Sequence, residues 1–326
     1  MTSDLNVGPP LIIMQTLDFD SLARGFLPGS AVTIGNFDGV HLGHREIIGR
    51  TLARGRLLGL PVCVLTFDPH PREVVKRGHT VPAIMPFAER ARLIADLGVD
   101  YLVKVRFTLS FADQLAETFV ENLAGRLNPR VVVIGHDFRF GRGREGSAEL
   151  LTGLGVRLGF AVEAVPVVEA GGKPVSSTRI RGLIQAGEME HARALLGSPF
   201  SIEGEIIHGH GRGRGLGFAT ANLRPDARLL PADGVYAAVA HFDDQSRPAV
   251  VNIGDNPTFS DTTRTIEAHI LDFHDDLYAR ALRLDFYRRL RGEIKFGSPD
   301  ELKAQIGRDV AEARRILAES AAAEGR

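Results

Sequence analysis

Five short apolar runs alternate with amphipathic segments through the first half of the chain, and that alternation leaves few folds open. The runs are LIIM (11–14), AVTIG (31–35), VCVLTF (62–67), YLVKV (101–105) and VVVIG (131–135). Between them, HREIIGRTLARGRLLG, FAERARLIADLG and FADQLAETFVENLAGRL repeat apolar residues at helical spacing. Strands that are apolar throughout must be covered on both faces, and strand–helix–strand connections make neighbouring strands parallel. The first half is therefore expected to be a doubly wound, Rossmann-like α/β domain with a parallel sheet.

Near residue 176 the pattern changes. SSTRIRGLIQAGEMEHARALLG reads as helices, and from Phe200 the chain breaks into FSIEGEII, GVYAAVAHF, PAVVNIG, RTIEAHIL and LRLDFYRRL, separated by Gly, Pro, Asp and Asn. Closely spaced strands with little helix between them predict a small antiparallel β-barrel. A final helix over PDELKAQIGRDVAEARRILAES has Pro299 in its first turn and Leu302, Ile306, Val310, Ala313 and Ile316 on one face. The expected domains are 1–186 and 187–326, and 326 residues suit two cores better than one.

Charge narrows the ligands. Lys plus Arg total 39 and Asp plus Glu 40, a net charge of -1, so no global field favours nucleic acid or an anionic membrane and any polyanion must be held by a local site. No apolar segment approaches the roughly 20 residues that span a bilayer, and MTSDLNVGPP lacks the basic and apolar regions of a signal peptide, so the cytoplasm is the expected compartment. Cys63 stands alone, which excludes an internal disulfide and a multi-cysteine zinc site; in its apolar run it reads as a core residue. Nothing in the sequence sets an oligomeric state.

The segment GNFDGVHLGH (35–44) follows a strand and opens a helix, which places it at the carboxyl end of the sheet, where open α/β folds bind ligands. Gly35, Gly39 and Gly43 let backbone approach a phosphate, the helix N-terminus favours an anion, and His41 and His44 can donate to phosphate oxygens as charge builds there. A zinc site on the two histidines finds no supporting cysteine or His-Glu-x-x-His pattern. Two arginines, Arg179 and Arg181, follow Ser176 and Ser177 in VSSTRIR; arginine suits bidentate phosphate contact, though a helix cap with solvated arginines explains the same residues. HDFRFGRGREG (136–146) is either a nucleotide-binding loop or a glycine-rich basic loop.

GNFDGVHLGH resembles the H-x-G-H signature of nucleotidyltransferases, which transfer the AMP part of ATP and release pyrophosphate. That resemblance implies nucleotide-binding roles for Gly35, Asn36, Phe37, Asp38, Gly39, Asp137, Ser176, Ser177, Arg179 and Arg181, and an acceptor side at Asp68, Pro69, His70 and Arg72 in TFDPHPREV (66–74). In the second half, GHGRGRGLGFATANLRP (209–225) resembles the flavokinase signature. This implies ATP-phosphate contacts at Gly211, Arg212, Gly213, Gly215, Gly217 and Phe218, Mg²⁺ ligands at Thr220 and Asn222, and a general base at Glu267. On alternation alone, Glu267 between Ile266 and Ala268 can equally face solvent. Ala219 replaces the signature's proline, Asn256 stands where a basic residue is common, and DLYARAL lacks a glycine after its tyrosine. With both halves in order, residues 15–310 resemble the bifunctional bacterial riboflavin kinase/FMN adenylyltransferase family. The implied ligands are ATP, Mg²⁺, riboflavin, FMN and FAD. Two alternatives remain at this point: an adenylyltransferase with a kinase-inactive, flavin-binding barrel, and a nucleic-acid-binding barrel, against which stand the absence of Trp and only four Tyr.

Overall fold

The computed structural model describes residues 13–75, 81–207, 220–226, 229–255, 264–273, 275, 278 and 280–324. It divides into two compact units, one of residues 1–81 and 87–175, the other of residues 82–86 and 176–326.

The first unit is built on six parallel strands, β1 (Gln15–Asp18), β2 (Ser30–Ile34), β3 (Val62–Asp68), β4 (Tyr101–Arg106), β5 (Pro129–Gly135) and β6 (Ala161–Val165), in the order β1-β4-β3-β2-β5-β6. Six helices connect them: α1 (Leu42–Leu58), α2 (Pro71–Val75), α3 (Phe87–Ala95), α4 (Leu109–Ala112), α5 (Ala116–Leu127) and α6 (Ala148–Leu158). Every residue of β2 is buried, because helices cover both faces of the sheet. Val32, Ile34, Leu65, Val103, Val132 and Ile134 pack with Phe119, Leu123 and Leu151 of α5 and α6. On the other side α1 lies against β2 and β5. The chain leaves β2 toward β3, then returns after β4 to lay β5 on the opposite flank of β2. That reversal puts the loops after β2 and β5 at the topological switch point, where such sheets open a crevice.

Two strand expectations shift. LIIM was expected to form the first strand, but Ile13 is 85% exposed and the strand starts at Gln15, opposite Tyr101, where β4 begins to offer partners; residues 11–12 lie outside the described residues. The sequence reading missed β6, an edge strand whose AVEAV is only half-covered and lacks the continuous apolar run of its neighbours. A two-stranded hairpin, β7 (Glu169–Ala170) with β8 (Lys173–Pro174), ends this unit.

The second unit opens with α7 (Ser177–Ala186) and α8 (Met189–Leu196). A closed antiparallel barrel follows: β9 (Phe200–Ile207), β10 (Ala221–Pro225), β11 (Gly234–Phe242), β12 (Gln245–Asp255), β13 (Arg264–Ile270) and β14 (Ala281–Arg291), in the order β10-β13-β12-β11-β14-β9. Because α7 packs on α8, and α8 on β9 and β14, both helices go with the barrel. Strand β10 lies in a glycine-rich stretch that reads as loop, yet it pairs on both sides and closes the barrel.

The last helix, α9 (Pro299–Glu324), lays Ala313, Ile316 and Leu317 over Val235, Ala237 and Val250, and each buried side chain of Ile or Leu size contributes ~1.5–3 kcal/mol. The expected apolar face is only partly realised. Leu302 and Ile306 are half-buried, whereas Asp309 is buried among them because Arg291 binds its carboxylate through Nε and Nη2 at 2.8–3.1 Å.

Candidate active sites

In the loop between β2 and α1, Phe37 and Val40 hold left-handed φ angles of 48° and 39°, positions that cost a non-glycine residue about 1–3 kcal/mol and persist where surrounding structure enforces them. Enforcement is visible: Phe37 and Val40 are fully packed, Val40 N–H donates to Phe37 O at 3.1 Å, and Arg45 Nε donates to Val40 O at 3.0 Å. The glycines expected to admit phosphate have a nearer reason to be glycine. A Cβ on Gly35 would lie 2.9 Å from the Phe37 ring, and one on Gly43 would lie 3.2 Å from the His41 ring.

His41 caps α1, its Nδ1 accepting the His44 backbone N–H at 3.3 Å. With that lone pair engaged, the neutral ring carries its proton on Nε2. The His41 and His44 rings stack at 3.5 Å and 16°, and Phe37 meets His44 edge-on at 5.4 Å. Burial pushes the His44 pKa well below its usual value, and the neighbouring His41 and Arg90 push the same way, so His44 is neutral at pH 7. Its Nδ1 is buried with no partner among the described residues, an orphan of the kind a ligand satisfies.

Around this loop, Asp38 is buried, Thr66 Oγ1 donates to Asn36 O at 3.1 Å, and Arg90 of α3 donates from Nη1 to Asn36 O at 2.8 Å and from Nη2 to Phe67 O at 3.1 Å. Arg90 was not found in the sequence; it sits in an ordinary-looking amphipathic helix. On the acceptor side, β3 runs through Asp68, the Asp68–Pro69 peptide is cis, and the expected loop ends in α2. His70 is buried, with Nδ1 accepting the Arg72 N–H at 3.1 Å, while Arg72 is exposed. Phe67, Phe107 and Phe111 cluster there at centroid distances of 5.5–6.1 Å. Phe111 also lines a cavity of about 490 Å³ with Asp20, Arg106, Thr108, Ser110 and Gln114. The sequence held a signal for this cluster in the recurrence RFTLSFADQ, which reads first as helix.

Asp137 is exposed at the end of β5, with Oδ1 3.5 Å from the place of a Gly135 Cβ, and Phe138 stacks on Phe140 at 5.4 Å. Residues 176–181 of VSSTRIR fall in the second unit, and there the helix cap is present: Ser176 Oγ accepts the Arg179 N–H at 3.3 Å as the N-cap of α7. Arg181, expected on phosphate, is buried and donates from Nε to Pro82 O at 2.8 Å, because its place on α7 turns it inward. Ser177 and Arg179 lie in the first turn of the same helix.

In the barrel, register decides what sequence alternation left open. Asn222 of β10 and Asn252 of β12 both stand directly opposite Glu267 of β13, giving one cross-strand row, amide, carboxylate, amide. Ile266, Ala268 and Ile270 are buried while Thr265, Glu267 and His269 are not, so the row lies on the outer face. The Glu293 carboxylate covers Gly254 on that face. Thr220 precedes β10. The expected phosphate contacts Gly211, Arg212, Gly213, Gly215, Gly217 and Phe218, together with Ala219 and Asn256, lie outside the described residues. Asn252 was missed because NIG carries no chemistry until the register pairs it with Glu267.

A switch-point α/β domain with a stacked histidine pair, followed by a closed barrel bearing a carboxylate between two amides, defines a two-domain enzyme of phosphate chemistry. The FAD synthetase family matches residues 24–179 and the riboflavin kinase family residues 196–317. The bifunctional riboflavin kinase/FMN adenylyltransferase of Escherichia coli strain K12 is 39% identical over 299 residues, covering 91% of this chain and 96% of that protein. Its Pseudomonas fluorescens counterpart is 41% identical, covering 90% and 94%. A solved structure of a Streptococcus pneumoniae protein described as a macrolide-efflux protein is 32% identical, with a TM-score of 0.85 over 93% of this chain and 99% of that one. The chain belongs to the bifunctional riboflavin kinase/FMN adenylyltransferase family. No helix among the described residues is long and apolar enough to cross a membrane.

Proposed function

We propose that the chain makes FAD in two steps with the chemistry divided between its domains: the barrel phosphorylates riboflavin to FMN with ATP, and the α/β domain adenylylates FMN with a second ATP, releasing pyrophosphate. The observation that carries the division is that each domain holds its own polar constellation, the His41–His44 stack in one and the Asn222–Glu267–Asn252 row in the other. The barrel of an adenylyltransferase-only chain has no need of that row, and the riboflavin kinase family match over residues 196–317 favours the bifunctional reading.

In the α/β domain, ATP lies on Gly35, Asn36, Phe37, Asp38 and Gly39 with Asp137 beside them. The FMN phosphate attacks the α-phosphorus, so the protein's task is orientation and charge stabilisation rather than nucleophilic catalysis. Neutral His44 donates a hydrogen bond to a phosphate oxygen, and His41 fixes its backbone. The flavin ring takes the Phe67, Phe107 and Phe111 wall, with Asp68, Pro69, His70 and Arg72 at its phosphate end. In the barrel, Glu267 accepts the proton of the riboflavin hydroxyl that attacks the γ-phosphorus.

Thr220 and Asn222 supply hard oxygen donors, and among the described residues no cluster of three or more His, Cys, Asp and Glu can hold a metal alone. Such a donor set fits Mg²⁺, which retains water and shares its shell with nucleotide phosphates. Thr220 and Asn222 would hold the ion, which would supply positive charge to offset that of the phosphates. The ligands are small molecules, and we place the enzyme in the cytoplasm, where ATP is supplied.

The test is a chromatographic time course of full-length protein with riboflavin, ATP and Mg²⁺. FMN rises first and FAD after it. Glu267→Gln slows FMN formation by roughly 10²–10⁴ and spares conversion of added FMN to FAD, while His44→Ala does the reverse. Equal damage to both reactions by either variant defeats the division of labour.

A further inference from the structure

Arg90 is out of place as a structural residue. The residue is 5% exposed, yet a guanidinium taken from water loses solvation that two neutral carbonyl partners restore poorly. Its fork reaches a loop and a strand: Nη1 donates to Asn36 O at 2.8 Å, beside the strained Phe37, and Nη2 to Phe67 O of β3 at 3.1 Å, one residue before Asp68. Nε is buried with no partner among the described residues. The guanidinium lies 5.0 Å from the centroid of the Phe87 ring, whose contact with Lys104 adds a second cation at 5.6 Å. Burial lowers the pKa of Arg90, and Asp38 from the β2–α1 loop, Asp68 from β3 and Glu73 from α2 act against that and favour its charge. Among the described residues Arg90 donates its hydrogen bonds to these two carbonyls.

We infer that Arg90 is a positioning residue for adenylyl transfer, fixing the nucleotide loop against the acceptor strand and adding a permanent positive charge between them. The inference rests on the reading that these two segments carry ATP and FMN. If the bridge slackens, the FMN phosphate and the α-phosphorus lose alignment, and a misplacement of about 1 Å can cost ~10² in rate. A lysine in place of arginine keeps the charge but has one nitrogen where arginine uses two separated ones to reach the two carbonyls. Methionine has comparable length and removes both.

The electrostatic part has a signature that a bare strut lacks. Burial is the main reason that His44 resists protonation, and the His41 ring and the Arg90 charge that face it add to that resistance. Removing the Arg90 charge lets His44 protonate at higher pH, so the acid limb of kcat/KM for FAD formation moves up.

The experiment uses the full chain, with added FMN, ATP and Mg²⁺, at pH 5 to 8, for wild type, Arg90→Lys and Arg90→Met, with FMN formation from riboflavin as an internal control in each. Expected are a loss of kcat of roughly 10² in both variants, unchanged FMN formation, and an acid limb displaced upward in Arg90→Met but not in Arg90→Lys. An Arg90→Lys enzyme with wild-type kcat overturns the bridging role, and that variant decides the matter even if Arg90→Met does not fold. An unmoved acid limb in folded Arg90→Met overturns the electrostatic role. A wild-type chain that makes no FAD from FMN is distinguishable from both, because it defeats the reading of the two loops and takes the inference with it.

Discussion

Gly35 shows how closely the nucleotide loop is fitted. A methyl group there would stand 2.9 Å from the Phe37 ring, and Phe37 is 1% exposed, so the ring cannot swing away without disturbing the core. Gly35→Ala is expected to cost about 1–3 kcal/mol of stability, as overpacking does, and to reduce FAD formation while FMN formation persists. Denaturant midpoints and the two product curves check this. His44 gives a pH dependence. Its pKa is lowered in the folded state, so between that value and the unfolded value near 6.5 the unfolded chain binds more protons and stability rises with pH. Stability is therefore lost as pH falls below about 6.5, and the wild type minus His44→Gln difference in unfolding free energy should shrink over that interval. A difference that stays flat from pH 7 to 5 rejects the buried, neutral His44. Both histidines were readable in the sequence as H-x-G-H, but their stacking, their tautomer and the orphaned Nδ1 were not. Those properties depend on side chains brought in from α3 and from the loop itself, and short-range spacing does not encode them.

Secondary-structure elements were legible in proportion to how uniform their surroundings are. Strands β2, β3 and β5 are covered on both faces over most of their length and read as near-continuous apolar runs, whereas edge strand β6 and barrel strand β10 carry polar residues and do not read as strands. The oversight at β10 matters most, since only as a strand does it set Asn222 opposite Glu267. Helix α9 makes the opposite point: its apolar period was visible, but not that a charge occupies the buried seam. Asp309 is 5% exposed and receives Arg291 through three contacts, with Gln305 Nε2 donating to it at 2.8 Å. Removing one partner of such a pair strands the other in low dielectric, typically at 3–5 kcal/mol. Asp309→Ala should therefore lower the stability of the barrel unit by about that much, and by more than Ile306→Ala on the same helix, where the side chain is only half-buried. A loss under about 1 kcal/mol in urea titrations would mean that Arg291 finds water in place of the carboxylate.

The division of the chain is where composition was least informative. A change from helical to strand pattern suggested a boundary after Ala186, but packing assigns α7 to the barrel unit. The turn that follows α7 explains why. Gly187 has φ 79°, and a Cβ there would sit 2.9 Å from both Tyr236 Oη and Arg289 Cδ, so the end of α7 is seated directly on β11 and β14. Tyr236 donates to Ala232 O and burial pushes its phenol up to about 12, which marks the seat as dry. A fragment of residues 187–326 thus uncovers Tyr236 and the apolar side of α8, whereas a fragment of residues 176–326 keeps them covered and forfeits mainly the Arg181 bond to Pro82 O, worth roughly 1.5–3 kcal/mol for a charged donor. Ile180 and Ile184 of α7 are fully buried, and losing two such side chains from a core costs several kcal/mol, about 1.5–3 kcal/mol apiece in transfer alone. The longer fragment should therefore unfold in one cooperative transition and phosphorylate riboflavin, while the shorter one should unfold at lower urea and lose kinase turnover in step with its folded fraction. Equal midpoints for the two fragments would return α7 to the first domain.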